Sequence, residues 1–331
     1  MATAPEHRPA NLVLRNAEGL SLSLTARGAG ISGLEVPLPD GPVQTVLGYA
    51  ALASYENDPY YLGSTVGRFA NRIAHARFEL DDQEVALAPN LDGHCVHGGP
   101  EGFSHRCWHL RADADGLGAE FLLDSPDGDQ GFPGVVSAEV RYRLQDGWRV
   151  LVTHRAHCSA PTPLSLANHA YFNLSGSGTA LDHELWVNAD RYTPTDESLI
   201  PTGEVRDVAG TPLDLRESAV MGERVLSEPE IFRHAAGFDH NYLLNTVPGG
   251  MTLAAHLRSP VTGLSMKVFT TQPAMQVYGG QHLGAPFAPG AGVCLETQAV
   301  PDAPNQPAFP DAVLRPGEAY EHFTLLEFSQ T

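Results

Sequence analysis

A carboxylate interrupts an apolar, strand-like run at Val293-Cys294-Leu295-Glu296-Thr297-Gln298. Glutamate is rarely buried without a partner, so an inward Glu296 asks for a chemical reason, whereas simple alternation would turn it outward. Asn168-His169-Ala170-Tyr171-Phe172-Asn173-Leu174 sets a histidine between an amide and two aromatics. Imidazole exchanges a proton near neutral pH, and aromatic faces stack on the apolar faces of ligands. A core histidine satisfied by backbone groups would look the same. Gly237-Phe238-Asp239-His240-Asn241-Tyr242 has a similar composition and fits either a site or an Asx-turn at a strand start. Asn90-Leu91-Asp92-Gly93-His94-Cys95-Val96-His97-Gly98-Gly99 puts a histidine before two glycines, where the backbone can turn sharply and a ligand approach closely. Its His94 and His97 fit a metal pair or plain polar surface. Gly67-Arg68-Phe69-Ala70-Asn71-Arg72-Ile73 flanks an amide with two planar donor forks suited to hydroxyl and carboxylate oxygens, or holds a surface arginine pair.

Together these segments supply a carboxylate, histidines, arginine and amides. No phosphate loop, nucleotide fingerprint, Gly-x-Ser-x-Gly elbow or dense Cys/His set accompanies them. That inventory suits acid/base work on a neutral, polyhydroxylated ligand. Charge agrees: 20 Lys and Arg against 39 Asp and Glu give −19 and no basic run, which argues against nucleic acid and anionic lipid. Cysteines 95, 107, 158 and 294 form no C-x-x-C pair, so neither a zinc knuckle nor a redox motif is written here and the thiols read as buried or idle. Met1-Ala2-Thr3-Ala4-Pro5-Glu6-His7 lacks a basic and an apolar signal region, and no run approaches the ~18 apolar residues of a membrane span. A soluble, cytoplasmic protein is the expectation.

The elements that must position these groups read as strands. Ser21–Thr25 alternates. Phe78–Leu80 and Val85–Leu87 flank an Asp81-Asp82 turn, and Val140–Leu144 and Trp148–Val152 flank Gln145-Asp146-Gly147. Thr252–Leu257 and Leu264–Phe269 form a third hairpin, and Tyr320–Phe328 is a final alternating run. Only Leu52–Asn57 and Ser218–Val225 could hold short helices. Gly and Pro number 33 and 26, too many for a helical bundle. Short antiparallel strands without βαβ alternation predict an all-β sandwich or barrel, and one domain over residues 1–331 is the simplest account.

In order along the chain, Gly67–Ile73, His97-Gly98-Gly99 with Gly102-Phe103 and Trp108, Asn168–Leu174, Phe238–Tyr242, Gln272-Pro273-Ala274-Met275-Gln276-Val277-Tyr278 and Leu295–Gln298 resemble the aldose 1-epimerase (galactose mutarotase) family. The resemblance implies a large antiparallel β-sandwich with an open sugar cleft, no cofactor and no metal. It implies Glu296 as catalytic base and His169 as catalytic acid, with Asn71, Arg72, His97, Asp239 and Gln276 at sugar-binding positions. For Gln276 an outward strand residue is the alternative. The implied reaction interconverts α and β anomers of aldohexoses such as glucose and galactose through ring opening. It requires Glu296 ionised and His169 protonated together; ordinary values near 4.3 and 6.5 leave a window between them, which Asp239 would widen by favouring the imidazolium. The rivals are a non-catalytic sugar-binding module, an epimerase of phosphorylated sugars, which should carry an extra basic cluster, and a cupin-like metalloenzyme. For the last, the fifteen histidines are scattered and no tight H-x-H cluster with a glutamate occurs. The partner is a small aldose; monomer and dimer are equally compatible with the sequence.

Overall fold

The computed structural model describes residues 11–247 and 249–330; the N-terminal stretch read above for a signal region lies outside them. Nine antiparallel strands form the larger sheet, in the spatial order His109–Ala112, Gly118–Ser125, Val136–Gln145, Arg149–Cys158, Tyr320–Gln330, Leu264–Thr270, Thr252–Arg258, Glu184–Val187 and Ala219–Val220. Six antiparallel strands form the second, in the order Tyr171–Phe172, Val293–Gln298, Ala274–Tyr278, Asp239–Leu243, Arg191–Thr193 and Arg206–Asp207. A four-stranded N-terminal sheet, Asn11–Arg15 through Gly41–Gln44, follows simple meander order.

Alternation explains the packing. Val140, Tyr142, Val150, Val152, Val268 and Leu326 of the nine-stranded sheet share one core with Met275, Val277, Val293 and Leu295 of the six-stranded sheet. Two sheets joined through one apolar layer make a β-sandwich. No helix among the described residues is long and apolar enough to cross a membrane.

The predicted hairpins form. Arg77–Leu80 pairs with Gln83–Ala86 across Asp81 and Asp82, both at positive φ, which aspartate tolerates. Val136–Gln145 pairs with Arg149–Cys158 around Gly147 at φ 74°, and Thr252–Arg258 pairs with Leu264–Thr270. Leu52–Asn57 is a 3₁₀ helix. The second predicted helix forms as Met221–Ser227, starting later than the sequence pattern suggests because Ala219 and Val220 are taken by pairing with Leu185 and Glu184, and a short helix, Pro229–Phe232, follows it.

Candidate active site

All six residues of Val293–Gln298 are buried, so both faces of this strand are covered. Val293 and Leu295 enter the shared core, and the period of two sends Cys294, Glu296 and Gln298 to the opposite face. Register then builds a polar row across the sheet: Asn241 lies opposite Gln276 and Gln276 opposite Glu296, while Asp239 lies opposite Tyr278 and Tyr278 opposite Cys294.

His169 stands between the short strands Ala167–Asn168 and Tyr171–Phe172, pinned by its own backbone: its N–H donates to Ser64 O (2.8 Å) and its carbonyl accepts from Gly63 N (3.0 Å). That fixes the ring 3.7 Å from the carboxylate, Nε2 to Glu296 Oε1, with both side chains at most 5 % exposed. Glu296 Oε2 is buried and has no hydrogen-bond partner among the described residues.

His97 reaches the same place from another loop. Asn71 N donates to His97 Nδ1 (3.1 Å), so in the neutral ring the proton sits on Nε2 and that nitrogen is a donor. One ligand-type atom each from His97, His169 and Glu296 lie within 4.8 Å of one another, the set here that could hold a divalent metal. His94 is not part of it; its Nδ1 accepts from His75 N (2.9 Å), so the i, i+3 histidine pair does not converge. Gly98, at φ 87°, must be glycine: a Cβ there would lie 1.9 Å from Gly67 O, which lets the two loops cross.

The two arginines of Gly67–Ile73 separate. Arg68 is 2 % exposed and donates to Ser125 Oγ and to the carbonyls of Ser125, Pro126, Phe132 and Pro133; it anchors a loop and is absent from the site. Arg72 lines the cleft beside Asn71, whose Oδ1 accepts from Arg72 N. Asp239 also lines it, held by Gln276 Nε2, which donates to Asp239 Oδ1 (2.6 Å). Gln276 is buried rather than outward, and it sits behind Asp239 instead of on the cleft wall.

These groups floor a cleft of about 580 Å³. Tyr61, Tyr171 and Tyr278 line it, with their ring centroids 5.8, 5.1 and 6.2 Å from that of His169. Sequence reasoning gave no role to Tyr61, nor to the rim residues Glu197, Ser198, Leu199, His234 and His282. They come from loops without periodicity; only the stacking of His282 on Tyr278 (21° between planes) marks one of them. A second groove, about 670 Å³, is lined by Asp214, Arg216 and Arg224 and lacks a buried carboxylate–imidazole pair.

Burial corrects the expected ionisation. Desolvation pushes the Glu296 carboxyl well above its usual range, with the negative charge of Asp239 adding to the rise. Desolvation also lowers His169, to about 4. Asp239 therefore acts on the carboxyl and not, as the sequence alone suggests, chiefly on the imidazolium. His97 is driven well below its usual value by burial, then by His169 and Arg72, so it stays neutral. Taking two charges out of water is unfavourable, and a neutral acid beside a neutral ring avoids that. Over the interval between the two pKa values the pair holds one proton, and it titrates as a unit.

Residues 11–327 match a family model described as Aldose 1-epimerase. The chain is 40% identical over 339 aligned residues to the aldose 1-epimerase of Escherichia coli K12, covering 99% of this chain and 97% of the relative. It is 41% identical over 321 residues to the galactose mutarotase of Homo sapiens, covering 94% and 91%. Among solved structures it resembles the GalM/aldose epimerase homologue of C. elegans (TM-score 0.91, 28% identity, 98% of this chain and 100% of that one). It also resembles the galactose 1-epimerase of Lactobacillus acidophilus (TM-score 0.88, 27% identity, 100% and 97%).

Proposed function

The chain belongs to the aldose 1-epimerase family, and on that premise we propose that it interconverts the α and β anomers of aldohexoses such as glucose and galactose, with Glu296 and His169 moving the protons. One observation carries the assignment: a carboxylate and an imidazole from distant parts of the chain stand 3.7 Å apart on the floor of an open cleft.

The sugar enters over the pair, its anomeric hydroxyl facing Glu296 and its ring oxygen facing His169. Its hydroxyls solvate the carboxylate, which favours the charged form and shifts the shared proton to His169 Nε2. Glu296 takes the proton of the anomeric hydroxyl while His169 gives its proton to the ring oxygen. The C1–O5 bond breaks and the aldehyde forms. The pair is then a neutral acid beside a neutral ring, the state that burial favours, so desolvation assists ring opening. Rotation about C1–C2 presents the other carbonyl face, and the two transfers run backwards to close the ring. Each transfer needs about 2.6–3.2 Å between heavy atoms.

Asn71, Arg72, His97 and Asp239 supply hydrogen bonds to the remaining hydroxyls, His97 as a donor from Nε2. Gln276 keeps Asp239 aimed at the cleft. The tyrosines cover the apolar sugar faces and exclude water. A phosphorylated sugar fits poorly in a cleft lined by the carboxylates Asp92, Glu197 and Asp239. We read residues 1–331 as one domain, supported by the core common to both large sheets, and place the enzyme in the cytoplasm, supported by four unpaired cysteines. Polarimetry of freshly dissolved α-D-glucose and α-D-galactose tests the function. Acceleration by the parent chain and its loss in Glu296→Gln uphold it; equal acceleration by both proteins refutes the assignment.

A further inference from the structure

Cys294 is fully buried, two residues before Glu296 on the same face of its strand, between Tyr171 on one neighbouring strand and Tyr278 on the other. Its Sγ lies 3.5 Å from His169 Nδ1, on the opposite side of the ring from Glu296. Nε2, on the other side of the ring, faces Glu296, whose buried carboxyl holds its proton and can donate to it. With Nε2 accepting, the hydrogen of the neutral ring sits on Nδ1. The thiol stays neutral, since burial, then Glu296 and Asp239, raise it well above its usual value. A neutral sulfur offers Nδ1–H a weak acceptor. Titratable groups elsewhere around the ring are Tyr61, His97, Tyr171 and Tyr278.

We propose that Cys294 is a positioning residue for His169: its sulfur accepts from Nδ1 and keeps the hydrogen there, so that Nε2, facing Glu296, is the nitrogen that gains and loses the working proton. A partner on the far nitrogen fixes tautomer and ring orientation, as outer partners of metal-bound histidines do. Choosing sulfur rather than carboxylate has a further consequence. Charge-assisted bonds to carboxylate stabilise an imidazolium strongly, whereas a thiol does so weakly and leaves the protonated ring a ready donor to an ether oxygen. This inference rests on the assignment of His169 above.

The test is long-range ¹H–¹⁵N spectroscopy of histidine-labelled protein, with steady-state kinetics of Cys294→Ala and Cys294→Ser. The parent should show His169 protonated at Nδ1 and unprotonated at Nε2 when neutral. Cys294→Ala should mix the tautomers and lower kcat about 10-fold, the low end for loss of such an outer partner, with KM within about twofold. Cys294→Ser, whose oxygen is the better acceptor, should restore the tautomer and move the acidic limb of the rate profile upward. A parent ring protonated at Nε2 overturns the proposal. So do spectra and pH profiles that stay unchanged in both variants. Should Cys294→Ala fail to fold, the parent spectrum and the serine variant decide. The spectrum needs no turnover, so a wrong tautomer and a chain without mutarotase activity are separate failures.

Discussion

The six-stranded sheet has two faces that differ by one residue of register. On one, Val293, Leu295, Met275 and Val277 pack into the common core. On the other, Cys294, Glu296, Gln276 and Asp239 carry a buried carboxyl, an amide holding a carboxylate and a thiol against an imidazole. The first face gains stability by leaving water. The second loses it, because buried polar groups without full partners are unfavourable. Glu296 Oε2 and Gln276 Oε1 are such atoms. The contrast teaches that the core holds in place a site that would not hold itself together.

Activity should separate the faces most widely. Glu296→Gln and His169→Ala are each expected to lower kcat by about 10²–10⁴-fold, the range for a proton-transfer group, with circular dichroism unchanged. Turnover within threefold of the parent in either would break the contrast.

Stability should move the other way. Leu295→Ala, next to Glu296 but facing the core, should lose about 2–5 kcal/mol in urea unfolding while the folded fraction keeps its kcat. Glu296→Gln should gain stability at neutral pH. The sign follows from linkage: a carboxyl whose folded pKa is raised holds a proton the unfolded chain releases, so stability falls as pH climbs from about 4.3 through the raised value. The glutamine variant should lack that fall. His169 works at the other end: lowered to about 4, it binds fewer protons folded than unfolded, so its share of stability is lost as pH drops from about 6.5 to 4.

The two arginines of one segment sharpen the comparison on a smaller scale. Arg68→Ala strands five acceptors' worth of contacts (Ser125 Oγ and four carbonyls) and should cost about 2–4 kcal/mol of stability. Arg72→Ala should leave stability within about 0.5 kcal/mol and raise KM. Thermal melts and Michaelis curves on the two proteins would show the roles reversed if the separation is wrong. The subtlest readout is the pH profile of Asp239→Asn: beside a higher KM from the altered sugar contact, removing a negative charge that raises Glu296 should move the basic limb downward.

Much of this was legible in the sequence. Period-two alternation and turn residues such as Asp81-Asp82 and Gly147 place the hairpins, because strand faces and positive-φ turns depend on local chemistry. Glu296 and His169 stood out by residue type against apolar surroundings. Arg68 and Arg72 did not separate, since their fates depend on the loop at Ser125–Pro133, far along the chain. The ionisation of the pair escapes the sequence for a related reason. Ordinary side-chain acidities belong to groups in water, and the desolvation of Glu296 comes from neighbouring strands that no local pattern reveals. Gln276 was singled out as a sugar-binding position, but its place behind Asp239 and its grip on that carboxylate follow only from cross-strand register.

The pH dependence of galactose mutarotation, followed by polarimetry on the parent and on Asp239→Asn, tests the shared-proton site most directly. A bell is expected, with its acidic limb near 4 and its basic limb above the ordinary carboxylate range, the latter displaced downward in the variant. A flat profile, or a basic limb indifferent to Asp239, would contradict a site in which a buried acid and a buried imidazole hold one proton between them.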